Sequence, residues 1–224
     1  MIRIVLVHGF SMRGFSLRGK ERLKELKKVI KKQFPETEIV EPEYFERYKR
    51  GLFFVKKSIP NYAAVVLDMI GEIDDDTIFV GYSSGGLIVR WMVEELGVSA
   101  KAVILVGTPN KGIKISWWEK IIQRIIRVPC VEDMKDNSEF LQRLNKGLNS
   151  LPRNYYYLGG RHDKRVPLES SLPEEILRDT KRYVGAEIFW TDHSGLIPKA
   201  SKGKISVISA IPAIIRILKK EIET

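Results

Sequence analysis

The sequence has little of what would anchor several familiar function classes. One of its 224 residues is cysteine, Cys130. A lone cysteine forms no internal disulfide, which excludes a small disulfide-stapled secreted module. It also offers no ligand set for a structural zinc or an iron–sulfur cluster. Histidine is scarce as well: His8, His162 and His193 stand far apart, with no His-x-x-x-His spacing. No metal and no cofactor are therefore expected. No run reaches the ~18 uninterrupted apolar residues of a spanning helix. Residues 1–7, Met-Ile-Arg-Ile-Val-Leu-Val, run straight into His8-Gly9. That pattern is a strand entering a loop rather than a signal-peptide core, and the expected location is cytoplasmic. Glutamine is rare beside abundant Lys, Glu and Ile, a balance expected of a heat-adapted protein.

What is present suits a single globular domain: 44% of residues are hydrophobic and 29% charged, on a chain long enough for a full core. The net charge is +10, and residues 13–57 alone hold 14 Lys/Arg against 7 Asp/Glu. Such a stretch suits an anionic partner, nucleic acid or a membrane surface. It also suits the wet face of one helix, because Leu23, Leu26, Ile30 and Phe34 recur at helical spacing within 20–34. The helix reading is preferred, so a nucleic-acid partner is not expected.

Apolar runs alternate with helical patterns along the chain. Strands are expected at Ile2–Val7, Glu38–Glu41, Thr77–Gly81, Ala102–Gly107, Tyr155–Gly159 and Ala186–Trp190, several continuously apolar as in parallel strands buried on both faces. Helices are expected over 20–34, 60–72, 85–96, 116–127, 138–148 and 205–222. This alternation predicts an α/β fold: a doubly wound, mostly parallel sheet of about six strands. Residues 111–150 exceed what one crossover needs and are expected to form a helical lid within the domain.

Chemistry in a parallel sheet belongs at the carboxyl ends of the strands. Those ends carry His8-Gly9-Phe10, Gly81-Tyr82-Ser83-Ser84-Gly85-Gly86, Gly107-Thr108-Pro109-Asn110-Lys111-Gly112, Gly159-Gly160-Arg161-His162-Asp163 and Thr191-Asp192-His193. The sharpest is Gly81-x-Ser83-x-Gly85, set between an apolar strand and an apolar helix. That context makes it a nucleophile elbow, with glycines flanking a strained serine. Ser83 is the expected nucleophile, since Ser84 lacks a glycine two residues before it. His193, after the last strand, is the expected base. Asp163 is the expected orienting acid, with Asp192 its rival. His8 is expected to shape the loop whose Phe10 N–H faces an oxyanion, and His162 to be an exposed loop residue.

The order Ser83, Asp163, His193, with His8-Gly9-Phe10 upstream, resembles the α/β-hydrolase superfamily over nearly the whole chain. His8-Gly9-Phe10, Gly81–Gly86, Gly107–Gly112 and Asp133–Leu141 resemble its lipase/esterase branch, which includes bacterial triacylglycerol lipases and glycosylphosphatidylinositol inositol-deacylase-like proteins. The resemblance implies a Ser83–Asp163–His193 triad, an oxyanion hole from the N–H groups of Phe10 and Ser84, and a lid after Gly112. The chain departs from the pattern in lacking two antiparallel strands before the His-Gly strand, so a reduced core is expected.

The expected function is a serine hydrolase cleaving carboxylic esters, acting on a small-molecule or lipid-like acyl ester. The same groups would serve a thioesterase, amidase or acyltransferase. A non-catalytic binding protein using the basic face is the reading from another class. Trp117, Trp118 and Ile121 are expected to bind the acyl group, because two adjacent Trp cannot share one helix face. Ile205–Leu218, apolar around most of its girth and followed by Lys219-Lys220, is expected to cover the sheet; weak contact with a membrane surface is its second reading.

Overall fold

The structure, a computed structural model, describes residues 1–9, 18–44, 57–114, 128–146, 154–172, 183–198 and 209–224. Its strands are β1 (Arg3–Val7), β2 (Glu38–Val40), β3 (Thr77–Tyr82), β4 (Ala102–Val106), β5 (Asn154–Gly160) and β6 (Tyr183–Phe189). They form one six-stranded sheet in the order β2-β1-β3-β4-β5-β6, every neighbouring pair parallel. Among the described residues the α-helices are α1 (Arg18–Gln33), α2 (Ile59–Ile70), α3 (Ser84–Arg90), α4 (Pro129–Asp133), α5 (Glu139–Lys146), α6 (Leu168–Ser171), α7 (His193–Leu196) and α8 (Ile211–Glu223).

Alternation along each strand splits the core into two layers. Val5, Val7, Phe79, Val103, Leu105, Tyr155 and Tyr157 face one side, where they pack with residues of α2, α3, α4 and α5. Ile4, Leu6, Ile78, Val80, Ile104, Val106, Tyr156 and Leu158 face the other, beneath α1 and α8. Strands β3 and β4 are buried throughout, which is why they read as unbroken apolar runs. The α1 stripe is as expected: Leu23, Leu26 and Ile30 are fully buried, while Lys24, Lys28, Lys31 and Lys32 are exposed. Each of those three apolar side chains contributes about 1.5–3 kcal/mol of burial.

Two helices differ from expectation. The helix expected over 85–96 stops as α-helix at Arg90 and continues as one π-helical turn, Trp91–Glu95. Leu96 N donates to Trp91 O there, five residues back, at 3.1 Å. The helix expected over 205–222 begins at Ile211, with Ser209 and Ala210 in a bend. Pro212 sits in its first turn, the one place where a missing N–H costs nothing. Apolar residues (Ile205, Val207, Ile208) continue the pattern upstream of that start. The helix expected over 116–127, within the lid expected over 111–150, lies outside the described residues, as do 205–208.

The chain steps from β1 outward to β2, then crosses back over β1 to β3 and moves on to β6. The reversal lies between β1 and β3, and the crevice at such a point is where ligands bind in open α/β sheets. His8-Gly9 leaves β1 and Ser83 leaves β3 at that point.

Candidate active site

Ser83 is the single residue between β3 and α3. Its backbone lies at φ 56° and ψ −130°, a conformation that non-glycine residues adopt only when the surroundings impose it. The surroundings do so: Ser83 N donates to Val106 O at 2.8 Å, and Gly86 N donates to Ser83 O at 3.0 Å. The flanking glycines are required by close approach. A Cβ on Gly81 would stand 2.5 Å from Gly86 Cα, across the turn. A Cβ on Gly85 would collide with the end of β1, overlapping Val7 O and standing 2.7 Å from His8 O. The second glycine thus serves packing against a neighbouring strand rather than relief within the turn itself.

The structure brings the three expected chemical groups together from three strand ends. His193 Nε2 lies 2.9 Å from Ser83 Oγ. His193 Nδ1 lies 2.6 Å from Asp163 Oδ2. The other carboxylate oxygen, Asp163 Oδ1, accepts N–H bonds from Arg165 at 2.9 Å and Val166 at 2.8 Å. Asp163 is buried and His193 half-buried. The rival Asp192 is occupied elsewhere: it caps α7, accepting from Gly195 N at 2.8 Å. His162 is exposed and its ring lies 5.5 Å from that of Trp190. His8 is buried, its ring stacked on Tyr44 at 4.6 Å.

Ser84 is buried and its N–H opens α3, beside Ser83, where oriented amides and the helix dipole favour negative charge. Phe10, the second expected oxyanion donor, lies outside the described residues, and so do Trp117, Trp118 and Ile121. Among the described residues, no group of three or more His, Cys, Asp or Glu could hold a metal ion, and no helix is long and apolar enough to cross a membrane.

Several residues shaping the site escaped the sequence reading. The Tyr82 hydroxyl donates to His193 O at 2.8 Å, and its ring stacks on the imidazole at 5.3 Å. Gly107, at φ 56°, leaves room beside that ring: a Cβ there would stand 3.2 Å from His193 Cε1. Tyr44 donates to His8 O and so braces the loop leaving β1. Burial, reinforced by Tyr62 and Cys130, pushes the Tyr44 hydroxyl well above the usual phenol range, so it stays a neutral donor. Tyr82 had a readable signal, an aromatic residue immediately before the elbow serine. Tyr44 had none, lying within the stretch read for its charge.

Comparison with known proteins follows the same lines. No protein-family model matches the sequence, and no curated protein matches it. Among solved structures, a monoacylglycerol lipase from Paleococcus ferrophilus aligns with 98% of this chain and 94% of its own, at TM-score 0.64 and 17% identity. A solved structure described under the metagenome-derived lipolytic enzymes LipS and LipT gives TM-score 0.65 at 11% identity, covering 100% of this chain and 94% of its own. A lipase-esterase related protein from Clostridium acetobutylicum gives 0.61 at 14% identity, over 97% and 93%. The chain has the α/β-hydrolase fold. These α/β-hydrolase-fold neighbours span nearly the same length as this chain, and the parallel six-stranded sheet is a reduced form of that core.

Proposed function

We propose that this α/β-hydrolase-fold protein is a serine hydrolase that cleaves carboxylic esters. The observation that carries the reading is the continuous line Ser83 Oγ–His193 Nε2–His193 Nδ1–Asp163 Oδ2, at 2.9 and 2.6 Å, set on a strained elbow. Ser83 Oγ attacks the acyl carbon while its proton passes to His193 Nε2. The tetrahedral oxyanion is held by the N–H groups of Ser84 and Phe10, each worth ~3 kcal/mol in the transition state. The imidazolium then gives its proton to the departing alkoxide, leaving the acyl group esterified to Ser83. Water attacks that ester as His193 takes its proton, and the acid leaves as Ser83 Oγ is reprotonated. Asp163 holds His193 in the tautomer with the proton on Nδ1.

The substrate side of the reading rests on lipolytic neighbours and on sequence. Of residues 111–150, α4 and α5 pack into the core beside α2 and α3; we read the stretch between β4 and α4, which holds Trp117, Trp118 and Ile121, as a cap that meets the acyl chain. Labelling with a fluorophosphonate probe tests the mechanism. Wild-type protein is expected to be labelled at Ser83 and Ser83→Ala not at all. A folded wild-type protein that stays unlabelled and hydrolyses no p-nitrophenyl ester would refute it.

A further inference from the structure

Arg90 lies at the end of α3, seven residues beyond Ser83, and is fully buried. All five of its N–H donors are used. Nε and Nη2 grip the Glu94 carboxylate at 2.7 and 2.8 Å. Nη2 also donates to Leu144 O at 3.4 Å. Nη1 donates to Asn110 Oδ1 at 3.0 Å and to Asn145 Oδ1 at 3.1 Å. Glu94 supplies the compensating charge, its side chain only 1% exposed. Only a planar five-donor fork fits this arrangement; a lysine ammonium offers three donors.

The residue on the far side of that fork, Asn110, is a junction. It is fully buried in the loop leaving β4. Its side chain donates to Ser171 O at 3.1 Å, its N–H to Ser170 O at 3.1 Å, and its carbonyl accepts from Asn145 Nδ2 at 2.9 Å. Ser170 Oγ then accepts from Lys111 N and donates to Gly112 O. Asn110 therefore locks the β4 loop to α6, and α6 follows Val166, whose N–H holds Asp163 Oδ1. The same β4 loop begins at Gly107, against the His193 ring, and places Thr108 against Gly86 of the elbow. One guanidinium thus joins the helix behind Ser83 to the loop beneath His193 and, through α6, to the loop bearing Asp163.

We propose that Arg90 is a positioning residue for the reaction at Ser83: its fork fixes the spacing of the helix behind Ser83, the β4 loop on which the His193 ring rests, and the loop bearing Asp163. This rests on the hydrolase reading above. A buried ion pair of this kind is weak evidence for stability, because an apolar pair of similar volume holds a fold about as well. Its purpose is then geometric, and small misplacement of reacting groups costs rate disproportionately.

The test separates geometry from stability with three variants of the whole protein: Arg90→Lys, the double variant Arg90→Met/Glu94→Met, and Asn145→Ala at the half-buried rim of the same cluster. The double variant removes both buried charges but leaves Asn110 Oδ1 and Leu144 O without the guanidinium donors, so it is expected to fold with a modestly lowered unfolding temperature. Its kcat on p-nitrophenyl butyrate is expected to fall about 10–100-fold with KM within about twofold, and fluorophosphonate labelling of Ser83 to slow in parallel. Arg90→Lys is expected to lose kcat similarly, and Asn145→Ala, which leaves the fork partly seated, to lose less. A double variant that folds and keeps wild-type kcat and labelling rate overturns the proposal. If neither Arg90 variant folds, Asn145→Ala decides, and full kcat in it also overturns the proposal. A wild-type protein that is neither labelled nor active instead removes the hydrolase reading, and the proposal with it.

Discussion

Asp163→Asn changes one atom, and the structure dictates how the new amide must sit. Asp163 Oδ1 accepts two backbone N–H bonds, from Arg165 and Val166, while Oδ2 faces His193 Nδ1. In the asparagine, the side-chain oxygen has to stay with the two N–H groups. Turning the NH2 toward them would leave two donors facing a donor, the buried Val166 N–H alone at about 1–3 kcal/mol. The NH2 therefore points at His193 Nδ1 and donates to it. Nδ1 must then be the unprotonated nitrogen, so the proton moves to Nε2, facing Ser83 Oγ. A protonated Nε2 cannot accept from the hydroxyl, and the nucleophile is silent at the pH where wild-type works. The expected loss is about 10⁴-fold in kcat, about 5.4 kcal/mol of transition-state stabilisation. The protein should keep its fold, since every backbone contact of the loop survives. Steady-state hydrolysis of p-nitrophenyl butyrate measures the loss, and nitrogen-15 NMR of the imidazole reports the tautomer. Asp192→Asn should cost little, because that carboxylate caps α7. Retention of activity within tenfold in Asp163→Asn, with a large loss in Asp192→Asn, would show that the acid has been misassigned.

Other expectations are quickly checked. Ser83→Ala and His193→Ala should each abolish ester turnover while circular dichroism and thermal unfolding stay near wild-type; an unfolded variant or residual turnover above a few per cent would contradict the roles given. Activity should survive EDTA; loss in EDTA with recovery on adding zinc would place the chemistry in another class. Gly85→Ala should destabilise by several kcal/mol in urea unfolding, because its Cβ would stand 2.7 Å from His8 O with only backbone to displace; a loss under 1 kcal/mol would mean the elbow shifts freely. Burial, with Glu132 adding and the bond from Ile59 N opposing, raises the Asp133 carboxyl above its ordinary range. The folded state then holds that proton at pH values where the unfolded chain has lost it, so stability falls as pH rises from the unfolded to the folded pKa. Asp133→Asn keeps an acceptor for Ile59 N and should match or exceed wild-type stability at pH 7, with no gain at pH 3; a less stable variant at pH 7 would refute the sign.

The fold was legible because its signals are local. Strands such as Ala102–Val106 are buried on both faces and cannot be anything but apolar throughout. The α1 stripe declares its own period, and the elbow concentrates glycines, serine and strand-to-helix change within six residues. Ser83, Asp163 and His193 could be proposed from chain order because each sits at a strand end, and parallel topology brings strand ends together. Boundaries were less secure where apolar character runs past a structural stop, as it does before Pro212. The supporting residues were hidden for a different reason. Tyr82 meets His193 across 111 positions, and the Arg90 fork reaches Asn110 and Asn145 across 20 and 55. No local period marks such contacts, and a charged residue on a helix is ordinarily solvated. The one trace in the sequence is Arg90 paired four residues from Glu94 inside the otherwise apolar stretch Leu87–Val93. A helix turn with no wet face leaves its charges only one another and whatever polar groups the tertiary fold delivers. That is what the structure holds: a guanidinium whose remaining donors reach the loop on which His193 rests.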